Sequence, residues 1–245
     1  MDEATGTMIR EGVEAIVNPL DLFAIEAALR LRESRGGGHV TVISMGPPKA
    51  AKALREAIAM GADSGVLLSD KAFAGADTWA TGLVLAQAIR QLGPFDLVIC
   101  GERATDGDTG QVGPGIASFL NLPVATYVSR IESAAGGVVR VHRLVEDGYE
   151  VLEVDTPAVL TVVKEVADPR LPTLRGKQRA RSAELPVWGI AQLGLAADTV
   201  GLAGSPTRVV KIFRPKVTRQ CEKFSAVDEA GIAQAADRVV ALLKE

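Results

Sequence analysis

Leu97-Val98-Ile99-Cys100-Gly101-Glu102-Arg103-Ala104-Thr105-Asp106-Gly107-Asp108-Thr109-Gly110-Gln111-Val112-Gly113-Pro114-Gly115 is the stretch from which the fold is read. A short apolar run, Leu97–Cys100, leads into a polar, glycine-rich loop and then into a helix-like segment from Ile116 to Leu120. The pattern predicts a strand, a loop and the start of a helix. Glycines 101, 107, 110 and 113 allow backbone to approach a ligand closely, and the amides that open a helix favour an anion such as a phosphate. The same glycines also suit an ordinary strand-to-helix turn in which they serve geometry alone. Asp106 and Asp108 can likewise hold a divalent cation or hydrogen-bond backbone amides.

Upstream, the same unit recurs. Asn18-Pro19 reads as a helix cap and first helical position, and Gly36-Gly37-Gly38 as that helix's stop. Val40–Ser44 predicts a strand followed by a helix from Lys49 to Met60. Val66–Leu68 predicts another strand, followed by the loop Ser69–Ala76 and a helix from about Asp77 to Leu92. Strands that alternate with helices of about 10–15 residues predict an α/β fold, a Rossmann-like, open and mostly parallel sheet with helices on both faces. Ligands on such sheets lie at the carboxyl ends of the strands. The loops 44–48, 69–76 and 101–111 all fall there.

Past Pro123 the rhythm changes. Val138–Val145 and Tyr149–Val154 alternate around Glu146-Asp147-Gly148 and predict an antiparallel hairpin, with a strand at Ala158–Val163 after it. Residues 167–185, rich in Pro, Arg and Lys, read as an exposed loop entering a short helix. A final amphipathic helix carries Ile232, Ala236, Val239 and Leu243 on one face. The domain reading is a nucleotide-binding α/β unit over 1–184 and a C-terminal arm over 185–245.

With 245 residues, 47% hydrophobic content and only 4% aromatics, the chain can bury a core of Val, Leu, Ile and Ala. A net charge of −3 gives no sign of a nucleic-acid or membrane-surface binder. No apolar run approaches a membrane span, and Cys100 and Cys221 form no disulfide or metal pattern. The expectation is a cytoplasmic protein with structural thiols, no metal site and no membrane insertion. His39 and His142 lack a nucleophile in a catalytic setting and read as structural. Without a Gly-x-x-x-x-Gly-Lys-Ser/Thr motif, ATP hydrolysis is disfavoured, and any chemistry is expected to come from a bound cofactor.

Several motifs in order carry a resemblance over nearly the whole chain. Asn18-Pro19-Leu20-Asp21, Met60-Gly61-Ala62-Asp63, Gly101–Gly113, the Glu146-Asp147-Gly148 hairpin, Pro157–Thr161 and Asp168-Pro169-Arg170-Leu171-Pro172-Thr173-Leu174 resemble the β subunit of electron transfer flavoprotein. The resemblance implies a heterodimer with an α subunit that carries FAD. It also implies a β-subunit nucleotide site for AMP or a second FAD, formed by Asn18, Pro19, Leu20, Asp21, Met45 and the run Gly101, Glu102, Arg103, Ala104, Thr105, Asp106, Gly107, Asp108, Thr109, Gly110, Gln111 and Val112. Within that run, Gly101, Ala104, Asp106, Thr109, Gln111 and Val112 are expected along the phosphate-to-adenine portion.

The segment Ser69–Thr81, with Asp106–Thr109 and Leu171–Lys177, is similar to the electron-bifurcating branch. That likeness assigns Asp70, Gly75, Asp77, Thr78 and Thr81 to the FAD, the last three to its ribityl or pyrophosphate oxygens. Asp77 or Thr78 equally suits a plain helix cap. The implied activity draws a hydride from NADH. One electron goes to ferredoxin or flavodoxin, and the other goes through the α-subunit FAD to an acyl-CoA dehydrogenase-like or quinone oxidoreductase partner. Leu174 matches the family's partner-docking leucine and equally suits a buried anchor, and Lys177, Arg179 and Arg181 suit either the steering of an acidic partner or a plain solvated face. A conventional carrier with structural AMP and a non-redox nucleotide-binding module are the alternatives. Family members begin with a strand ending in a Lys-Gln-Val-Pro-like loop, and this sequence is expected to lack it.

Overall fold

The computed structural model describes residues 16–210, 222–225 and 227–243. They divide into a first compact unit that ends at Val209 and a second that starts at Val210. In chain order the first unit contains α1 (Pro19–Ser34), β1 (Thr41–Met45), α2 (Ala51–Met60), β2 (Ser64–Leu68), α3 (Thr78–Leu92), β3 (Leu97–Gly101) and α4 (Val112–Leu120). These are followed by β4 (Val124–Ala135), β5 (Val138–Val145), β6 (Gly148–Asp155), β7 (Ala158–Val162), α5 (Leu174–Ser182), β8 (Val187–Trp188), α6 (Ile190–Leu193) and α7 (Gly201–Gly204).

Strands β1, β2 and β8 form one parallel sheet, and β3, β7, β4, β5 and β6 form a second in that order. β3, β7 and the start of β4 run parallel, whereas β4, β5 and β6 form an antiparallel meander that includes the expected hairpin. Alternation along β7 assigns the helices to faces. Ala158, Leu160 and Val162 pack with Ala24 and Phe23 of α1, whereas Val159 packs with Ile89 of α3 and Ile116 of α4. Ile43 of β1 and Val98 of β3 pack on that same α3–α4 cluster. Each lies on an edge strand, and among the described residues no strand pairs with the free edge of either.

The first unit runs past residue 184, because β8 extends β2 and the Ile190 N–H donates to Asp70 (3.1 Å). Strand β4 has no counterpart in the sequence reading. Its burial follows no strict alternation, because register shifts interrupt its pairing with both neighbours.

The second unit contains α8 (Glu229–Leu242), capped by Asp228, whose carboxylate accepts the Gly231 N–H at 2.8 Å. Ile232, Ala236, Val239 and Leu243, the expected apolar face, are exposed. Cys221 lies outside the described residues. No helix among them is long and apolar enough to cross a membrane.

Candidate nucleotide site

Three helix N-termini meet at the carboxyl edge of β3, around the loop 102–111. The first is α1. Pro19 occupies its first turn, and Asn18 precedes it without capping through its side chain. Instead the Asn18 amide donates to the Arg103 carbonyl (2.9 Å) and to Asp21 (3.0 Å), and its oxygen accepts the Thr105 N–H (3.2 Å). Asp21 in turn accepts the Gly101 N–H at 2.7 Å. The motif 18–21 is thus bonded to the end of β3 and to the loop, 80 to 87 residues away.

The second and third are α3 and α4. Asp77 caps α3 by accepting the Ala80 N–H at 3.0 Å, and Thr78, next in the chain, donates from Oγ1 to Oε1 of Gln111 (2.7 Å), which precedes α4. Both helix N-termini therefore present their free N–H groups side by side, a donor array suited to phosphate oxygens. At the rim, Asp106 and Asp108 are exposed, and Arg103 sits 3.2 Å from Asp108 and 3.6 Å from Glu102. Carboxylates in such a position accept hydroxyl donors, as a ribose supplies, while the helix termini take the anion.

The glycines divide by role. A Cβ on Gly101 would lie 2.8 Å from the Leu20 carbonyl carbon, and one on Gly113 would overlap Thr161 Cγ2 and sit 3.0 Å from Cys100 Sγ. At both positions it is protein that uses the space a side chain would fill, α1 against β3 and α4 against β3 and β7. Gly107 faces open space.

Other sequence-selected residues are engaged by neighbouring parts of the chain. Met45 packs against the cluster of Val66 and Leu68, and Gly75 abuts Leu202 of α7. Asp70 accepts N–H groups from Ala72 and Ile190, and these bonds hold its carboxyl below the usual aspartate range. Burial pushes the Asp77 carboxyl up, but the Ala80 N–H and the N–H and hydroxyl of Thr207 outweigh it and leave it lowered. Both carboxylates are satisfied by the chain itself. Thr81 is half-buried on the first turn of α3.

Tyr127, half-exposed on β4, was singled out by no sequence pattern and comes close to the loop: its hydroxyl lies 4.0 Å from the position a Cβ on Gly110 would occupy. No local pattern marks it, since a β-bulge aims it there. His39 bonds Ser64, and His142 bonds Glu132 and stacks on Tyr149, which fits their structural reading. Burial pushes the Cys100 thiol up to about 12. Its thiolate, the reactive form, is scarce at neutral pH. In the folded protein Cys100 is expected to resist a disulfide reagent at pH 8 and to react once denaturant unfolds the chain, as quantified by labelling and mass analysis.

Leu174 starts α5, which packs on α2, with 87% of its surface exposed, and Leu171 is equally exposed. Thr173 caps this helix through the Gly176 N–H (2.9 Å). Arg179 donates to the Ile58 and Ala62 carbonyls (2.7 and 2.8 Å), so it serves the end of α2, whereas Lys177 and Arg181 stand at the surface.

Residues 5–193 match the electron transfer flavoprotein domain. The chain is 45% identical over 245 residues to the Caffeyl-CoA reductase-Etf complex subunit CarD of Acetobacterium woodii, covering all of this chain and 92% of that protein. It is 46% identical over 245 residues to the electron transfer flavoprotein subunit beta of Clostridium acetobutylicum, with the same coverage. Protein FixA of Azotobacter vinelandii is 45% identical over 218 residues, which is 86% of this chain and 77% of FixA.

Proposed function

The chain belongs to the electron transfer flavoprotein family, and from that premise we propose that it is a β subunit that holds FAD and bifurcates electrons within a heterodimer. The carrying observation is the pair of adjoining helix N-termini, α3 and α4, joined by the Thr78–Gln111 hydrogen bond. Two such termini suit the two phosphates of a pyrophosphate, whereas the single phosphate of AMP needs one. In this reading the FAD, when bound, supplies the capacity to accept a hydride from NADH and release single electrons. The α4 N-terminus and Thr78 orient the pyrophosphate, and Asp106 and Asp108 accept ribose hydroxyls. The bonds from Asn18 and Asp21 keep the loop in its binding shape. Electron acceptors are ferredoxin or flavodoxin on one branch, and on the other, through the α-subunit FAD, a dehydrogenase or quinone oxidoreductase. The exposed stripe of α8 is assigned to the α subunit, and Leu174 to docking of an electron-transfer partner.

A second reading, a conventional carrier with AMP, draws on the satisfied carboxylates of Asp70 and Asp77, whose geometry needs no ligand to explain it. Cofactor content separates the two. The heterodimer is expected to release two FAD and no AMP per complex on denaturation and chromatography. One FAD with one AMP would replace bifurcation by the conventional carrier.

A further inference from the structure

We propose that the Tyr127 hydroxyl is a phosphate ligand of the bound nucleotide, a role that rests on the nucleotide reading above and extends it to a residue on β4. Strand β4 pairs with β7 through Ala125, slips at a bulge, and resumes at Val128. Inside the bulge Tyr127 adopts φ +55°, a left-handed conformation that is costly for a bulky side chain. The distortion is held from below: the Tyr127 N–H donates to Oγ1 of Thr161 (3.2 Å), itself 2% exposed, and Val128 accepts the Val163 N–H at 3.0 Å. A regular strand in its place would direct residue 127 elsewhere. The bulge instead turns the ring toward the Gly110 end of the loop, immediately before α4. Bulges that re-aim side chains recur beside active sites.

The side chain is 47% exposed, so its burial does not repay the strain. Among the described residues its hydroxyl has no hydrogen-bond partner. An unengaged O–H donor beside Gly110 stands at the loop residue two positions before α4, where an oxygen of a phosphate held by that helix's first N–H groups would complete its hydrogen bonding.

The test uses the heterodimer freed of its β-site nucleotide, with AMP and adenosine as probes in titration calorimetry. Tyr127→Phe removes the hydroxyl and keeps the ring. AMP is expected to bind about tenfold more weakly to this variant, as the loss of one charge-assisted hydrogen bond implies. Adenosine binding and the melting temperature of the nucleotide-free complex are expected to stay as in the unmodified protein. Unchanged AMP affinity would overturn the proposal. So would equal weakening of AMP and adenosine, or a lowered melting temperature together with the AMP loss, each of which marks a structural prop. If the unmodified heterodimer binds neither probe, the nucleotide reading itself falls.

Discussion

Arg170→Ala is expected to destabilise the first unit by about 3 kcal/mol, because it removes two of the four hydrogen bonds that compensate a buried carboxylate and leaves Arg30 as its one cationic partner. That is a large part of the roughly 5–15 kcal/mol that holds a typical domain folded. Glu26 on α1 is 2% exposed, and its carboxylate accepts from Arg170 Nε (2.7 Å), Nη2 (3.1 Å) and backbone N–H (3.2 Å), and from Arg30 Nε (2.7 Å). Arg170 also reaches the outer Glu33 at 2.5 and 3.0 Å, while Arg30 holds the Asp168 carbonyl at 3.0 Å. The cluster therefore ties residues 168–170 to α1, directly before Leu171 and Leu174. Urea unfolding of Arg170→Ala, Glu33→Gln and the double replacement Arg170→Met/Glu26→Leu measures the claim. Glu33→Gln is expected to cost below about 1 kcal/mol because that end is solvated. The apolar pair is expected to recover most of the loss, because it leaves no charge to bury. An Arg170→Ala cost no larger than that of Glu33→Gln would refute the buried-charge account.

The same cluster sets a pH dependence. Burial pushes the Glu26 carboxyl up, but the hydrogen bonds from Arg170 and Arg30 outweigh it, so its native pKa lies below the ordinary 4.5. A lowered native pKa means that the unfolded chain binds the proton first. The stabilisation is whole above the ordinary value and is lost as pH falls below it, through the native one. Arg170→Ala is therefore expected to flatten the acid limb of the stability profile.

Gly113→Ala should separate α4 from the sheet. The added methyl would overlap Thr161 Cγ2 and press on Cys100 Sγ, and Thr161 is too enclosed to turn away. Overpacking of this kind costs about 1–3 kcal/mol. It also displaces Gln111 from Thr78 and so is expected to lower nucleotide retention in the heterodimer. Thr161→Ser keeps the oxygen that accepts the Tyr127 N–H and removes the offending methyl. Combined with Gly113→Ala it is expected to restore most of the stability and the bound nucleotide, read by thermal melting and by cofactor analysis of the same preparation. A Gly113→Ala single variant with unaltered melting would show that the α4–β7 contact is not tight.

Local patterns carried much of the architecture. Asn18-Pro19 starts a helix, Asp77 caps one, and the Glu146-Asp147-Gly148 turn joins two alternating strands, because caps, turns and periodicity are decided within a few residues. Motif order along the chain likewise pointed to the family that the full-length matches establish. β4 escaped notice because its bulges break the alternation by which strands are recognised.

Contacts between distant segments decided the rest. The residue type at 101 and 113 is visible in the chain, but whether a glycine faces a ligand or a neighbouring helix depends on Leu20, 81 residues away, and on Thr161, 48 residues away. An aspartate at 70 or 77 is visible in the chain, but that Ile190 and Thr207 bond to it is not. Tyr127 becomes part of the site only through a bulge held by Thr161. Local preference determines which elements form, while the direction in which each polar group is satisfied depends on which remote segment packs beside it.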